Sequence, residues 1–139
     1  MLSSLQARDY MAANLITFAP DTDILSAIHK LVEKRISGAP VVDEHGNLVG
    51  MLSERDCVRV ALEAGYYGEL GGRVDEFMSR DVEIIDADMS IVELAQLFVD
   101  KPFRRYPVFE DSRLVGQISI RDVLRALEAA SSPEIHLRD

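Results

Sequence analysis

A shift of 67 residues lays the first half of this chain on the second, and this internal repeat constrains the fold more than any other feature. It pairs Met11 with Met78, Asp21 with Asp88, Ile24 with Ile91, Val32 with Val99 and Lys34 with Lys101, then Pro40 with Pro107 and Val41 with Val108. After one single-residue gap the shift becomes 66. It then pairs Leu48, Val49, Gly50, Ser53, Arg55, Asp56 and Arg59 with Leu114, Val115, Gly116, Ser119, Arg121, Asp122 and Arg125. The gap falls between the turns DEHGN and EDSR, where losing a residue costs least. Fourteen identities in about 50 positions, in one register, predict a pseudo-symmetric pair of units rather than a long solenoid.

Each copy has the same predicted order. In the first, residues 14–18 read as a short strand, and Asp21 and Asp23 open a helix over about 22–35. Ile24, Ala27, Ile28, Leu31 and Val32 fall at helical spacing and define its buried face. Gly38 and Pro40 stop that helix and lead into the strand APVVD; a turn and a second strand, Leu48 to Ser53, complete a hairpin. Helix resumes from Glu54 to about Ala64. The second copy places strands at 82–85, 106–110 and 114–119, and helices from Ser90 to Asp100 and Ile120 to Ala129, with Pro102 closing the first. The predicted organisation is a first repeat over 7–64, a glycine-rich linker over 65–73, a second repeat over 74–129 and a tail over 130–139. Each repeat is β-α-β-β-α after a short helix, an α+β fold. One such half buries too little apolar surface to stand alone, so the two sheets are expected to pack face to face, leaving two equivalent clefts.

A polar signature recurs within this frame: GMLSERD at 50–56 and GQISIRD at 116–122. Serine ends a strand and aspartate follows three residues later in the first helical turn. An ionised Asp56 or Asp122 there can accept hydrogen bonds from the vicinal hydroxyls of a ribose, each worth about 1.5–3 kcal/mol. The glycine lets backbone or a flat base approach closely. The same spacing is also a helix-capping pattern, in which Ser53 and Ser119 simply act as N-caps.

The order of elements, the A/Y-P-V strand and the duplicated G-h-x-S-x-x-D signature resemble the cystathionine β-synthase (CBS) domain, and two in tandem resemble the CBS pair called a Bateman module. The resemblance covers residues 7–129. It implies two pseudo-symmetric CBS repeats packed sheet to sheet, a module that binds adenosine compounds and regulates a separate protein. It implies that Asp56 with Ser53, and Asp122 with Ser119, hold ribose or phosphate. Adenine is then expected against Leu15, Ile16, Thr17, Gly38, Ala39 and Pro40 in the first copy, and against Val82, Glu83, Ile84, Arg105, Tyr106 and Pro107 in the second. The copies differ where phosphate would sit. Arg104 and Arg105 precede the second Tyr-Pro-Val strand, whereas Ser37 and Gly38 stand in the first. Paired guanidinium groups suit phosphate, or salt-bridge to Glu110 or Asp111; Arg55 and Arg121 either reach the clefts or remain solvated. AMP, ADP or ATP is the expected ligand, with S-adenosylmethionine and NAD as further possibilities. The resemblance also implies a homodimer through Val58, Ala61 and Leu62 with Val123, Leu124 and Leu127.

A formal charge of -9 disfavours nucleic acid and anionic membrane as partners. No apolar run approaches a membrane span, MLSSLQARDYM lacks signal-peptide character, and Cys57 is the single cysteine, so a cytoplasmic protein is expected. His29, His45 and His136 do not cluster with Cys57 at metal-ligand spacing, and no nucleotide-loop or catalytic-triad ordering occurs, so neither a metal site nor an enzyme is expected. The regulated partner is then a separate polypeptide. Two other readings stay open: a ligand-free dimeric scaffold of the same fold, and a nucleotide-processing enzyme.

Overall fold

The computed structural model describes residues 2–131. The fold is mixed α+β, and the chain divides into two compact units. One is Ile16–Val82; the other combines the segment up to Leu15 with the chain from Glu83 onward.

In the unit Ile16–Val82, helix α2 (Ile24–Lys34) leads to the hairpin β1 (Gly38–Val42) and β2 (Leu48–Ser53), then helix α3 (Glu54–Tyr67) and the short helix α4 (Val74–Phe77). Asp23 caps α2 through the Ser26 amide. Ile24, Ala27 and Leu31 bury its inner face, but Val32, expected there too, is 71% exposed. Eight residues on from Ile24, it has rotated about 80° around the axis. The helix ends at Arg35, in the left-handed conformation at φ 54°, before Gly38 and Pro40 are reached. Residues 14–18 do not form the expected strand: only Phe18 bridges β1, its amide donating to Pro40 O and its carbonyl accepting from Val42 N. Helix α3 runs three residues past its expected end, so the predicted linker begins as helix, and Gly68 at φ 72° terminates it. The core gathers Phe18, Leu31, Val41, Leu52, Val60 and Phe77.

The other unit begins with a 3-10 turn (Leu2–Ser4) and helix α1 (Ala7–Tyr10) and continues from Glu83 through β3 (Ile85–Asp86), α5 (Ile91–Asp100), β4 (Arg105–Glu110), β5 (Arg113–Ser119) and α6 (Ile120–Ala130). Strand β3 is shorter than the predicted 82–85 and pairs parallel with β4; β4 and β5 are antiparallel. Lys101, extended ahead of Pro102, ends α5 as a residue before proline must. The hairpin turns on Asp111 and Ser112, both at positive φ, whereas Val42 and Leu48 flank five turn residues knotted by Asp43. The single-residue gap in the repeat is this change of turn.

The repeats exchange their leading segments between units. Helix α1, from the first repeat, lies with the second repeat's sheet, where Ala12 bridges Gln117; the segment after α4 bridges Met51 through Ser79. Val123, expected on a dimer face, is 7% exposed and belongs to its unit's core. Among the described residues no helix is long and apolar enough to cross a membrane. His136 and most of the predicted tail lie outside them.

Candidate functional site

Each signature first does structural work. Ser53 Oγ accepts from the Asp56 amide at 3.1 Å, and Asp56 Oδ2 accepts from the Ser53 amide at 2.9 Å, a closed capping box on α3. Ser119 and Asp122 repeat it on α6, at 3.3 and 2.9 Å. The next amides are also used, Glu54 N donating to Ser37 O and Ile120 N to Arg104 O. These helix starts therefore offer a phosphate few unsatisfied donors, and anion binding falls to side chains.

The signature glycines serve close packing. A Cβ on Gly50 would lie 2.6 Å from Met78 Sδ and 2.8 Å from Ser79 O. On Gly116 it would meet Met11 Sδ and Ala12 O at the same distances. Folding needs thus account for Gly, Ser and Asp together.

The capping boxes leave one carboxylate oxygen each, and here the copies part. Asp56 Oδ1 has no hydrogen bond among the described residues, while Asp122 Oδ1 accepts from Arg125 at 3.0 Å. Arg125 also lies over the Tyr10 ring, 5.9 Å from its centroid. Its repeat equivalent Arg59 instead donates to the Phe77 carbonyl and lies over the Phe77 ring at 5.6 Å.

Sheet pairing gathers the other residues. Gly38 stands opposite Ser53 and Arg105 opposite Ser119, so Arg105 and Ser119 share a sheet face. Ile16 and Thr17 precede the Phe18 bridge to β1, and Ile84 precedes the Ile85–Val108 pair. Pro40 and Pro107 are buried, and the side chains of Ala39 and Tyr106 lie in the two cores, so any contact they make with a ligand is through backbone. Thr17, Ile84, Arg104, Arg55 and Arg121 are exposed. Arg104 makes no ion pair among the described residues, and Glu110 is taken by Arg8. Glu83 binds Lys101, both carboxylate oxygens accepting from Nζ at 2.8 Å, which holds the ammonium pKa above its ordinary value. Tyr106 Oη is buried without a partner among the described residues, and burial, then Glu83, pushes its pKa up. No cluster of metal-ligating side chains occurs among the described residues. Sequence reasoning missed Arg125 and Lys101 as site neighbours, though both are identities of the repeat.

With this geometry in place, comparison with known families finds the CBS domain twice, over residues 7–63 and 74–129. The chain belongs to the CBS domain family. One relative, the Methanocaldococcus jannaschii protein MJ1225, is 32% identical over 120 residues, 86% of this chain and 42% of its own length. The chain spans less than two thirds of the length of the first curated relatives it matches. Among solved CBS structures, CBSX2 of Arabidopsis thaliana in complex with AMP superimposes with a TM-score of 0.76 at 28% identity, covering 90% of this chain and 97% of that one. The CBS domain pair of protein MJ0100, in complex with 5'-methylthioadenosine and S-adenosyl-L-methionine, gives 0.77 at 25% identity, covering 91% and 98%.

Proposed function

We propose that this CBS pair is a regulatory module that binds adenosine compounds and is read by a separate partner protein. The observation that carries the reading is the pair of half-buried aspartates, Asp56 and Asp122, each spending Oδ2 on its helix cap and offering Oδ1, without a partner among the described residues on Asp56 and shared with Arg125 on Asp122, to a ribose hydroxyl. The neighbours in complex with AMP, and with 5'-methylthioadenosine and S-adenosylmethionine, support that ligand class. AMP, ADP or ATP suits the second copy, where Arg104 precedes β4 and Arg105 opens it. Sensing requires that the ligand bind one conformation more tightly than another. The partner, by this reading, recognises the conformation so favoured.

A homodimer accompanies this function. Val58 and Leu62 on α3 are 63% and 61% exposed, and Leu124 and Leu127 on α6 are exposed as well, apolar surface that self-association would cover. The second reading, a ligand-free scaffold, is favoured by one observation: the signature already satisfies itself through capping and packing.

Isothermal titration with AMP, ADP, ATP, NAD and S-adenosylmethionine separates the two. The sensor reading expects micromolar binding, weakened at least tenfold in Asp122→Asn or Asp56→Asn, which remove the charge while leaving an oxygen to cap the helix. Heat from none of the five sinks it in favour of the scaffold. Turnover of any of them would instead establish the enzyme reading.

A further inference from the structure

We infer that Arg125 divides the two sites by ligand charge: Asp122, neutralised by Arg125, takes an anionic adenosine phosphate, and Asp56, left unneutralised, takes a cationic adenosine compound such as a sulfonium. The inference rests on the adenosine reading above and goes beyond it in assigning a class of ligand to each copy.

The repeat makes the comparison internal. Arg59 and Arg125 occupy the same repeat position, three residues after their aspartates, and both lie over the aromatic residue that ends the leading short helix or its last turn, Phe77 or Tyr10. In the first copy the guanidinium is spent on the Phe77 carbonyl. In the second it turns to Asp122 Oδ1 at 3.0 Å. A ligand entering the second copy meets a carboxylate already balanced by one cation, with exposed Arg104 just ahead of β4 and Lys101 before it, itself partnered by Glu83. One entering the first meets Asp56, which makes no ion pair among the described residues, and Gly38 in place of Arg105. A polyphosphate would be repelled there; a positive sulfur centre would be attracted. Arg125 is 59% exposed, so it tunes selectivity rather than stability. One unit charge at roughly 6 Å, under an effective dielectric of about 40, alters affinity about tenfold.

The test titrates the full chain and its Asp56→Asn, Asp122→Asn, Arg125→Gln and Arg125→Lys variants with ADP and with S-adenosylmethionine. Asp56→Asn is expected to weaken S-adenosylmethionine at least tenfold and leave ADP unchanged, and Asp122→Asn to do the reverse. Arg125→Gln should weaken ADP about tenfold and let a second S-adenosylmethionine bind, and Arg125→Lys should restore ADP. A merely structural arginine would shift both ligands together. Loss of both ligands through the same aspartate, or an ADP to S-adenosylmethionine ratio unmoved by Arg125→Gln, overturns the inference while leaving the adenosine reading intact. Absence of heat from ADP and S-adenosylmethionine overturns the inference alone if AMP, ATP or NAD still binds, and overturns both if none of the five does.

Discussion

Alanine at Gly50 tests whether the signature glycine serves the fold or a ligand. Its Cβ would sit 2.6 Å from Met78 Sδ and 2.8 Å from Ser79 O. The thioether is the flexible end of a side chain and can swing aside. The carbonyl cannot do so freely, because Ser79 O accepts from Met51 N and Ser79 N donates to Met51 O, both at 2.9 Å. Retreat of the segment stretches both bonds. Overpacking costs about 1–3 kcal/mol and each weakened hydrogen bond up to about 1, so Gly50→Ala should lose about 2–4 kcal/mol. At roughly 3–5 °C per kcal/mol for a chain of this size, the melting temperature falls by about 6–20 °C. Gly65, inside α3 with nothing within 4 Å of its built Cβ, supplies the opposite sign. There alanine should add about 0.5–1 kcal/mol by lowering chain entropy and favouring helix. Urea and thermal unfolding followed by far-ultraviolet circular dichroism read both, with Gly50→Ala/Met78→Ala recovering only the thioether's share. A Gly50→Ala protein as stable as the parent refutes the packing argument. If that protein also lost nucleotide affinity, the glycine would be there for the ligand.

Three further outcomes follow from the same contacts. Ser53→Ala and Ser119→Ala each remove an N-cap and should cost about 1 kcal/mol in chemical denaturation, with no nucleotide present. Tyr106→Phe removes a buried hydroxyl that has no partner among the described residues, so stability should stay within about 0.5 kcal/mol or rise; a loss above 2 kcal/mol would mean that the hydroxyl is bonded. Burial, with Asp56 and Glu54, pushes the Cys57 thiol up to about 11 from 9.0. Alkylation by iodoacetamide at pH 8 should therefore run about 100-fold slower in the folded than in the urea-unfolded protein, since thiolate is the nucleophile. The sign for stability follows: between about 9 and 11 the unfolded chain has released a proton that the folded chain retains, so stability falls as pH rises through that window.

Much of the fold was legible because it is local. Ile24, Ala27, Leu31, Ile91 and Leu94 are buried at the spacing that marked them, and Ser90 and Asp23 cap the helices they precede. What failed depended on tertiary context. Residues 14–18 have strand-forming side chains, but only Phe18 finds a partner in β1, so one bridge forms where a strand was expected. The exchange of leading segments was not legible at all, and the repeat itself is the reason. Met11 and Met78 are equivalent, as are Gly50 and Gly116, so local pattern fits Met11 to either glycine equally well. The structure seats Met11 on Gly116 and Met78 on Gly50, a choice that only nonlocal packing makes.

The candidate site was legible in its residues and ambiguous in their purpose, since a capping box and a ribose clamp ask for the same serine and aspartate. The structure shows the capping role, and the ribose role proposed above is compatible with it. Capping consumes Oδ2 of each aspartate and holds its side chain at the head of a helix, half-buried, with Oδ1 left over on Asp56 and paired with Arg125 on Asp122. A carboxylate positioned by its own backbone bonds loses little freedom when a ligand arrives, so the cap prepares the binding group. Sequence identity alone then misleads about equivalence. Arg59 and Arg125 match in the repeat, yet one is committed to a carbonyl and the other to the carboxylate. Among the described residues the two copies of one signature thus differ in local charge, an unpaired carboxylate in the first and an arginine-paired one in the second, and this difference is what the proposed division of ligands by charge rests on.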